Sequence, residues 1–291
     1  MLRTRPWTPY LYVAPMVALL GLIFGYPVVQ IFNYSFRLIR GNSGPWVGTL
    51  NYENLFADPT FRDAALNSVT LLLAVPIMIA LALVISVLLY ERTRGWRVYR
   101  TVFFLPFILA IPIVAIIFGY ILQLNGVLNE ALRGMGLGAL ALDWLGSEGN
   151  ALWSVMGVII WREVGFGIVL FLAALMSLNQ DVIEAARLDG ANWWKRLRYV
   201  IVPQLRGTIE FYAVIAMITI LGWVFAYVYT LTQGGPGNST QILELYIYNQ
   251  GVRNSLPGLG SAVAVLLLVT TLILIGALFR IRARAHEEEG T

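Results

Sequence analysis

The chain has 291 residues, of which 58% are apolar and 12% are charged, and its formal net charge is +4. This charged fraction is about half that of an ordinary soluble domain, which indicates a membrane protein. The sequence has no Cys, one His (His286) and one Lys (Lys195), and this inventory excludes disulfides, a multi-His metal site and a phosphate-binding loop of the Walker type. Any use of ATP therefore requires a partner protein.

Six apolar stretches are each long enough to cross a bilayer as a helix of about 20 residues. We predict an all-α fold, a polytopic membrane helical bundle in which residues 1–291 form a single domain. The six transmembrane helices are expected at about residues 11–36, 64–90, 101–124, 151–178, 208–231 and 257–280. Pro76, Pro106 and Pro112 interrupt backbone hydrogen bonding and predict kinks in the second and third spans.

The basic residues indicate the orientation of these spans. With the N-terminus inside, fourteen Lys and Arg lie in the cytoplasmic segments and five in the outer loops, which places both termini in the cytoplasm. The basic balance thus reflects topology, and no nucleic-acid partner is expected. The first apolar stretch is too long for a signal peptide and contains Pro15 and Pro27, so we expect an uncleaved span.

Residues 180–204 form a basic, Trp-rich insert between the fourth and fifth spans. We predict that Asp181 caps a first helix, with Glu184 reaching back in a capping box, and that Gly190 ends this helix. Asn192 is expected to cap a second helix that runs to Val202, just before Pro203. From periodicity alone, an interfacial linker helix at the cytoplasmic membrane surface is the favoured interpretation of this hairpin.

The motifs in this insert resemble a known family. Glu184-Ala185-Ala186, Asp189-Gly190-Ala191 and Val200-Ile201-Val202-Pro203 resemble the EAA loop of permease subunits in binding-protein-dependent ABC importers. The loop differs from the usual pattern in three residues, namely Leu197, Val202 and Gly207.

A second motif resembles the carbohydrate branch of that family. Residues 232–240, with Gly234-Gly235-Pro236 followed by Ser239-Thr240, are similar to an outer loop of the larger maltose-permease subunit. An ordinary turn is the alternative interpretation of this loop.

The resemblance implies a cytoplasmic coupling-helix hairpin that docks into a cleft of an ATPase. The candidate coupling residues are Glu184, Ala185, Ala186, Asp189, Gly190 and Pro203. It also implies a bacterial inner-membrane protein that is not itself an enzyme. The implied partners are a second permease, two ATPase subunits that bind ATP and Mg²⁺, an extracytoplasmic binding protein, membrane lipid and a sugar substrate.

Charges within a membrane are costly and are candidates for function. Arg162 and Glu163 lie near the middle of the fourth span, about 100° apart around the helix, so we do not expect an ideal pair between them. Sugars offer hydroxyls to carboxylates and C–H faces to aromatic rings. The candidate substrate-path residues are therefore Glu163, Phe166, Thr219, Ile220, Trp223 and Tyr227, with ordinary helix packing as the alternative.

Two other functions remain open at this point. One is an ABC permease for a different solute, such as glycerol-3-phosphate or an oligopeptide. The other is a membrane enzyme that uses Glu163 or Glu210 on a lipid-linked substrate.

Overall fold

The structure is a computed structural model that describes residues 8–39, 43–91 and 95–289. Within these ranges the regular structure is helical, apart from an isolated β-bridge between Arg37 and Trp46, which confirms the predicted all-α class. The α-helices are α1 (Thr8–Leu20), α2 (Tyr26–Ser35), α3 (Leu50–Ala57), α4 (Pro59–Leu71), α5 (Ala74–Tyr90), α6 (Trp96–Ile108), α7 (Ile111–Ile121), α8 (Val127–Gly134), α9 (Glu148–Met176), α10 (Gln180–Leu188), α11 (Trp193–Arg196), α12 (Val202–Gln204), α13 (Arg206–Gly222), α14 (Phe225–Leu231), α15 (Leu243–Tyr248) and α16 (Pro257–Glu289). Three π-helical turns, Gly21–Gly25, Leu197–Ile201 and Asn249–Arg253, join consecutive helices.

Several of these helices are long and apolar enough to cross a membrane. Among the described residues, the unbent stretches are Tyr10–Ser35, Pro59–Tyr90, Glu148–Met176 and Pro257–Arg280. Two further pairs are bent, by 102° between Val98–Ile108 and Ile111–Ile121 and by 77° between Trp193–Gln204 and Arg206–Gly222. Six spans result if each bent pair is counted as one, and the exact span limits and the single domain stay predictions.

The chain divides into two compact units, and the first comprises Met1–Phe61 with Tyr246–Val269. In this unit, the 3% exposed Asn51 of α3 donates to the backbone oxygens of Ser35 and Arg37 at 2.8 and 2.9 Å. Tyr52 donates to the Ser35 hydroxyl at 2.9 Å. These bonds use carbonyls that the end of a helix leaves free and so fix α3 against the end of α2.

The second unit comprises Arg62–Leu245 with Thr270–Thr291, and α9 is its central helix. Helices α5, α6 and α13 pack against α9, and α14 packs against both α7 and α9. A Cβ atom on Gly165 would lie 2.8 Å from the backbone oxygen of Phe103, so only glycine allows this approach of α6 to α9. Aromatic and aliphatic side chains such as Phe171, Ile159 and Tyr212 fill the centre of the unit.

A proline explains the break between α6 and α7. Pro112 lies in the first turn of α7, where its missing N–H costs nothing and its ring cannot clash with a preceding turn. Ala110 is extended, with ψ of 137°. The carbonyl of Leu109 therefore faces away from any helical ladder and is available to a side chain from α9.

The loop at residues 232–240 is held by its own polar groups. The hydroxyl of Thr240, which is fully buried, lies 2.7 Å from the Thr232 hydroxyl and 2.7 Å from the backbone oxygen of Gly235. Asn67 of α4 donates to the backbone oxygens of Asn238 and Gln241 at 3.0 and 2.9 Å. The threonines of this motif thus have a structural role in closing the loop, and Asn67 ties the loop to α4.

Candidate functional site

The first helix of the predicted hairpin begins two residues earlier than we expected. Asn179 is the N-cap, because its extended backbone lets the side-chain oxygen accept from the Asp181 N–H at 2.9 Å. The prediction that Asp181 caps the helix is therefore wrong. Asp181 instead lies in the first turn, where a carboxylate is favoured by the helix dipole, and Glu184 is exposed.

The turn of the hairpin depends on a left-handed glycine. Gly190 has φ of +78°, and the Ala191 N–H donates to the backbone oxygen of Ala186 at 3.0 Å, which closes the end of α10. The side chain of Asn192 accepts from the Lys195 N–H at 2.9 Å, so the predicted second cap is confirmed. The motif residues thus fix the angle between the two helices.

The second helix continues further than we predicted. It runs through α11, the turn Leu197–Ile201 and α12, so Pro203 lies inside it and does not end it. A proline ring clashes with the carbonyl four residues earlier in a regular α-helix, and a wider π-helical turn relieves this conflict. The chain then bends at Leu205, before α13.

The hairpin has a buried face and an exposed face. Ile183, Leu197 and Ile201 are 4%, 7% and 2% exposed, so they anchor it to the rest of the chain. The exposed face includes large apolar side chains, with Leu188 at 89% and Trp194 at 66%. Of the predicted coupling residues, Ala186 is half-buried, and the exposed ones are Glu184, Ala185, Asp189, Gly190 and Pro203.

The two charges of α9 form the centre of a polar cluster inside the apolar region. Arg162 donates to Glu163 at 2.5 Å, and its Nε atom donates to the free Leu109 oxygen at 2.9 Å. The hydroxyl of Tyr227, from α14, donates to the same Glu163 oxygen at 2.7 Å. Both charged side chains are nearly buried, at 12% and 11% exposure.

The prediction that Arg162 and Glu163 would not pair well is wrong. The long, flexible Arg162 side chain spans the angle between adjacent helix positions. Burial makes an unpaired charge costly, so the pair forms although the two positions point about 100° apart around the helix. The cluster therefore joins α9 to both the break before α7 and the start of α14.

The predicted substrate-path residues lie in several different environments. Glu163 and Tyr227 belong to the buried polar cluster, and the ring of Phe166 lies 5.5 Å from that of Phe107 in a tilted arrangement. Ile220 is 1% exposed and packs in the core. Trp223 is 66% exposed at the break between α13 and α14. Thr219 is half-buried, and its hydroxyl donates to the backbone oxygen of Ile215 at 2.9 Å.

The structure also reveals a recess that the sequence pattern did not indicate. It has a volume of about 490 Å³ and lies between the end of α7, the end of α14 and the loop before α9. Its polar lining includes Tyr120, Gln123, Asp143 and Thr230. These residues are spread over more than 100 positions and follow no periodic pattern, so only the packing of α7 on α14 brings them together.

Glu244 is a further feature that the sequence analysis did not identify. It lies near the end of the segment Arg62–Leu245 of the second unit. Its carboxylate accepts from the N–H groups of Val224 and Phe225 at the start of α14. Burial outweighs these two bonds and raises the pKa of Glu244 to about 7. Among the described residues, no group of three His, Cys, Asp or Glu side chains could hold a metal ion.

Comparisons with known proteins place this geometry in context. The lactose transport permease LacF of Rhizobium radiobacter is 34% identical over 82% of both chains. The diacetylchitobiose uptake permease DasB of Streptomyces coelicolor is 31% identical over 99% of this chain and 90% of its own. A solved bacterial ABC transporter involved in the import of the acidic polysaccharide alginate contains a chain with a TM-score of 0.80, at 25% identity and 96% coverage of both chains.

These likenesses cover between 82% and 99% of the sequence. Residues 47–285 match a single family, described as the inner membrane component of binding-protein-dependent transport systems. This confirms the resemblance predicted from the EAA motif. The chain therefore belongs to the family of binding-protein-dependent transport system inner membrane components, and it is a multi-pass membrane protein.

Proposed function

We propose that this chain is the permease subunit of an ATP-driven importer whose cargo is a sugar or oligosaccharide. The main observation in support of this proposal is the hairpin between Asn179 and Leu205. Its exposed face combines Glu184 with the solvent-exposed side chains of Leu188 and Trp194. An amphipathic helix with such a face fits a groove on a partner protein. Sugars are favoured as cargo because LacF and DasB are named for lactose and diacetylchitobiose.

The proposed mechanism is alternating access. Two ATPase subunits bind ATP and Mg²⁺, and their closure moves the hairpin together with that of a second, related permease. Both termini of this chain then lie in the cytoplasm, and an extracytoplasmic binding protein delivers the sugar from the other side. This chain supplies contacts to the ATPase but no nucleotide-binding residues of its own.

The proposed substrate path follows the two helix breaks. Trp223 offers an exposed ring to the C–H face of a sugar, Thr219 lies one turn before it in α13, and Phe166 belongs to α9. The buried side chains of Ile220 and Tyr227 form the wall of this path. Glu163 supports this wall through its hydrogen bonds with Arg162 and Tyr227. The recess beside Tyr120 and Asp143 provides polar groups at the outer end of this path.

Uptake by the complete complex in proteoliposomes tests the function. The complex is expected to take up a saccharide such as lactose or diacetylchitobiose with ATP inside and its binding protein outside, and to fail without ATP. Uptake of glycerol-3-phosphate or an oligopeptide instead would favour another ABC cargo. Turnover of a lipid-linked substrate by this chain alone would contradict the transport function.

Variants in the hairpin test the coupling role. Glu184→Lys reverses the charge at the proposed ATPase contact. Gly190→Pro cannot adopt the φ of +78° that the turn requires. Both variants should abolish uptake while the chain stays abundant in the membrane. Glu130→Gln changes an exposed acid of α8, away from the hairpin in sequence, and serves as the control. Normal uptake by both hairpin variants would contradict the role.

Trp223→Ala tests the path separately. Loss of an exposed ring that contacts sugar should raise the KM for transport, with the complex still assembled. Glu163→Gln should change transport kinetics as well, through the wall that it supports. Unchanged kinetics in both assembled variants would remove these residues from the path.

A further inference from the structure

One carboxylate holds both helices of the hairpin. Glu91 directly follows α5, and its Oε1 atom accepts from Arg196 Nη2 of α11 at 2.8 Å. The same oxygen lies 3.5 Å from Arg187 Nη2 of α10. The hairpin is thus joined to the end of another helix that lies far away in sequence.

The bond to Arg196 is the better defined of the two. The side chain of Arg196 is 15% exposed, whereas that of Arg187 is 49% exposed. The side chain of Glu91 is 21% exposed. Arg196 Nη1 also donates to the backbone oxygen of Ala191 at 3.0 Å, which holds the guanidinium between the glycine turn and Glu91. A shielded, charge-assisted hydrogen bond of this kind is stronger and better oriented than an ion pair on an open surface.

A second contact lies beside this ion pair. The side-chain amide of Gln180, at the start of α10, donates to the hydroxyl of Tyr90, the last residue of α5. The start of α10, the glycine turn and the start of the second helix are therefore all connected to the end of α5. A displacement of the hairpin acts on α5 at this position.

Helix α5 leads from this contact to the interior of the membrane region. It packs along α9, and α9 carries the Arg162 and Glu163 cluster that ties the two helix breaks together. An α-helix of 17 residues transmits an axial displacement along its length because its backbone hydrogen bonds are continuous. The path from hairpin to cluster thus consists of rigid, directly packed elements.

We propose that Glu91 is a positioning residue for coupling: its ion pair with Arg196 transmits movement of the hairpin to α5 and from there to α9. This proposal rests on the proposed function, since it names the connection through which the ATPase would act on the bundle. Glu91 does not contact substrate or nucleotide in this role. Its effect is on the ratio between stimulated and basal ATP hydrolysis.

The test compares variants in the reconstituted complex of both permeases, both ATPases and the binding protein. Glu91→Gln should leave assembly and basal ATPase activity unchanged. Stimulation of the ATPase by the sugar-loaded binding protein should fall about tenfold, which corresponds to about 1.4 kcal/mol. The control is Glu210→Gln, which breaks the Arg206–Glu210 ion pair within α13 and should keep full stimulation.

A double-mutant cycle separates a direct pair from two independent effects. Arg196→Gln alone should reduce stimulation about as much as Glu91→Gln, and the double variant should be no worse than either, whereas independent effects would multiply to about a hundredfold loss. A Glu91→Asp variant, which keeps the charge, should retain part of the stimulation. These readouts differ from a simple loss of stability, which would lower the amount of assembled complex instead.

The outcomes distinguish this proposal from the function on which it rests. A wild-type complex without any stimulated ATPase activity would overturn both. Normal stimulation in Glu91→Gln, or multiplicative losses in the double variant, would overturn the role of Glu91 alone.

Discussion

At the scale of single residues, the polar cluster of Arg162, Glu163 and Tyr227 shows how an apolar helix tolerates charge. Each charged group has a partner of opposite charge and a further hydrogen bond, to the Leu109 carbonyl or to the Tyr227 hydroxyl. Removing one charge from such a pair leaves the other buried and uncompensated, whereas removing both does not.

The stability of three variants tests this account of the cluster. Glu163→Leu should destabilise the protein by about 3 kcal/mol or more, and Tyr227→Phe, which loses one hydroxyl, by about 1 kcal/mol. The double variant Arg162→Leu/Glu163→Leu should be more stable than Glu163→Leu alone. Thermal unfolding in detergent measures this order, and a double variant less stable than the single one would contradict it.

Glu244 gives a prediction about pH. Its pKa rises from the ordinary value of 4.5 to about 7 on folding, so the folded state binds the proton more tightly than the unfolded state. Its contribution therefore favours folding at low pH and is lost as pH rises from about 4.5 to about 7. Glu244→Gln should raise the Tm at pH 8 and bring little gain at pH 5. An equal gain at both values would show that the carboxyl has no raised pKa.

At the scale of helices, close approach and interruption determine the arrangement around α9. The contact of α6 with α9 requires a residue without a side chain at Gly165, since a Cβ atom there would lie only 2.8 Å from Phe103 O. By contrast, Gly157 in the same helix has open space around its Cα atom.

These two glycines form a matched pair for a stability measurement. Gly165→Ala forces α6 away from α9 and should cost about 1–3 kcal/mol. Gly157→Ala should be neutral or stabilising, by up to about 1 kcal/mol, because alanine favours a helix. Thermal unfolding of both variants measures these changes in stability. Equal effects of the two substitutions would contradict the close approach of α6 to α9.

The sequence predicted the helical class, the hairpin and its second cap, because hydrophobic length, Gly190 and Asn192 act locally. The prediction from sequence was wrong or incomplete where contacts between distant parts of the chain determine the local structure. Asn179 and Asp181 are both good capping residues, and only the backbone of Asn179 is extended. The Arg162–Glu163 pair and the bond from Arg196 to Glu91 depend on burial and on residues up to 105 positions away, so no periodic pattern reveals them.

At the scale of the whole molecule, family membership and the hairpin support one account of transport. Fourteen basic residues on one predicted side against five on the other predict that the hairpin lies in the cytoplasm. In the proposed complex it meets an ATPase there, while the loop at residues 232–240 is expected to face the binding protein. The account thus requires that one face of the chain is reached only from the cytoplasm and is covered by a partner.

Thiol labelling at Leu188 tests this requirement most directly. The chain has no Cys, and Leu188 is 89% exposed at the end of α10, so Leu188→Cys introduces a single accessible thiol. A membrane-impermeant maleimide should label it in inside-out vesicles stripped of the ATPase, and the added ATPase should protect it, while intact cells stay unlabelled. Labelling from outside intact cells, or equal labelling with and without the ATPase, would contradict the account.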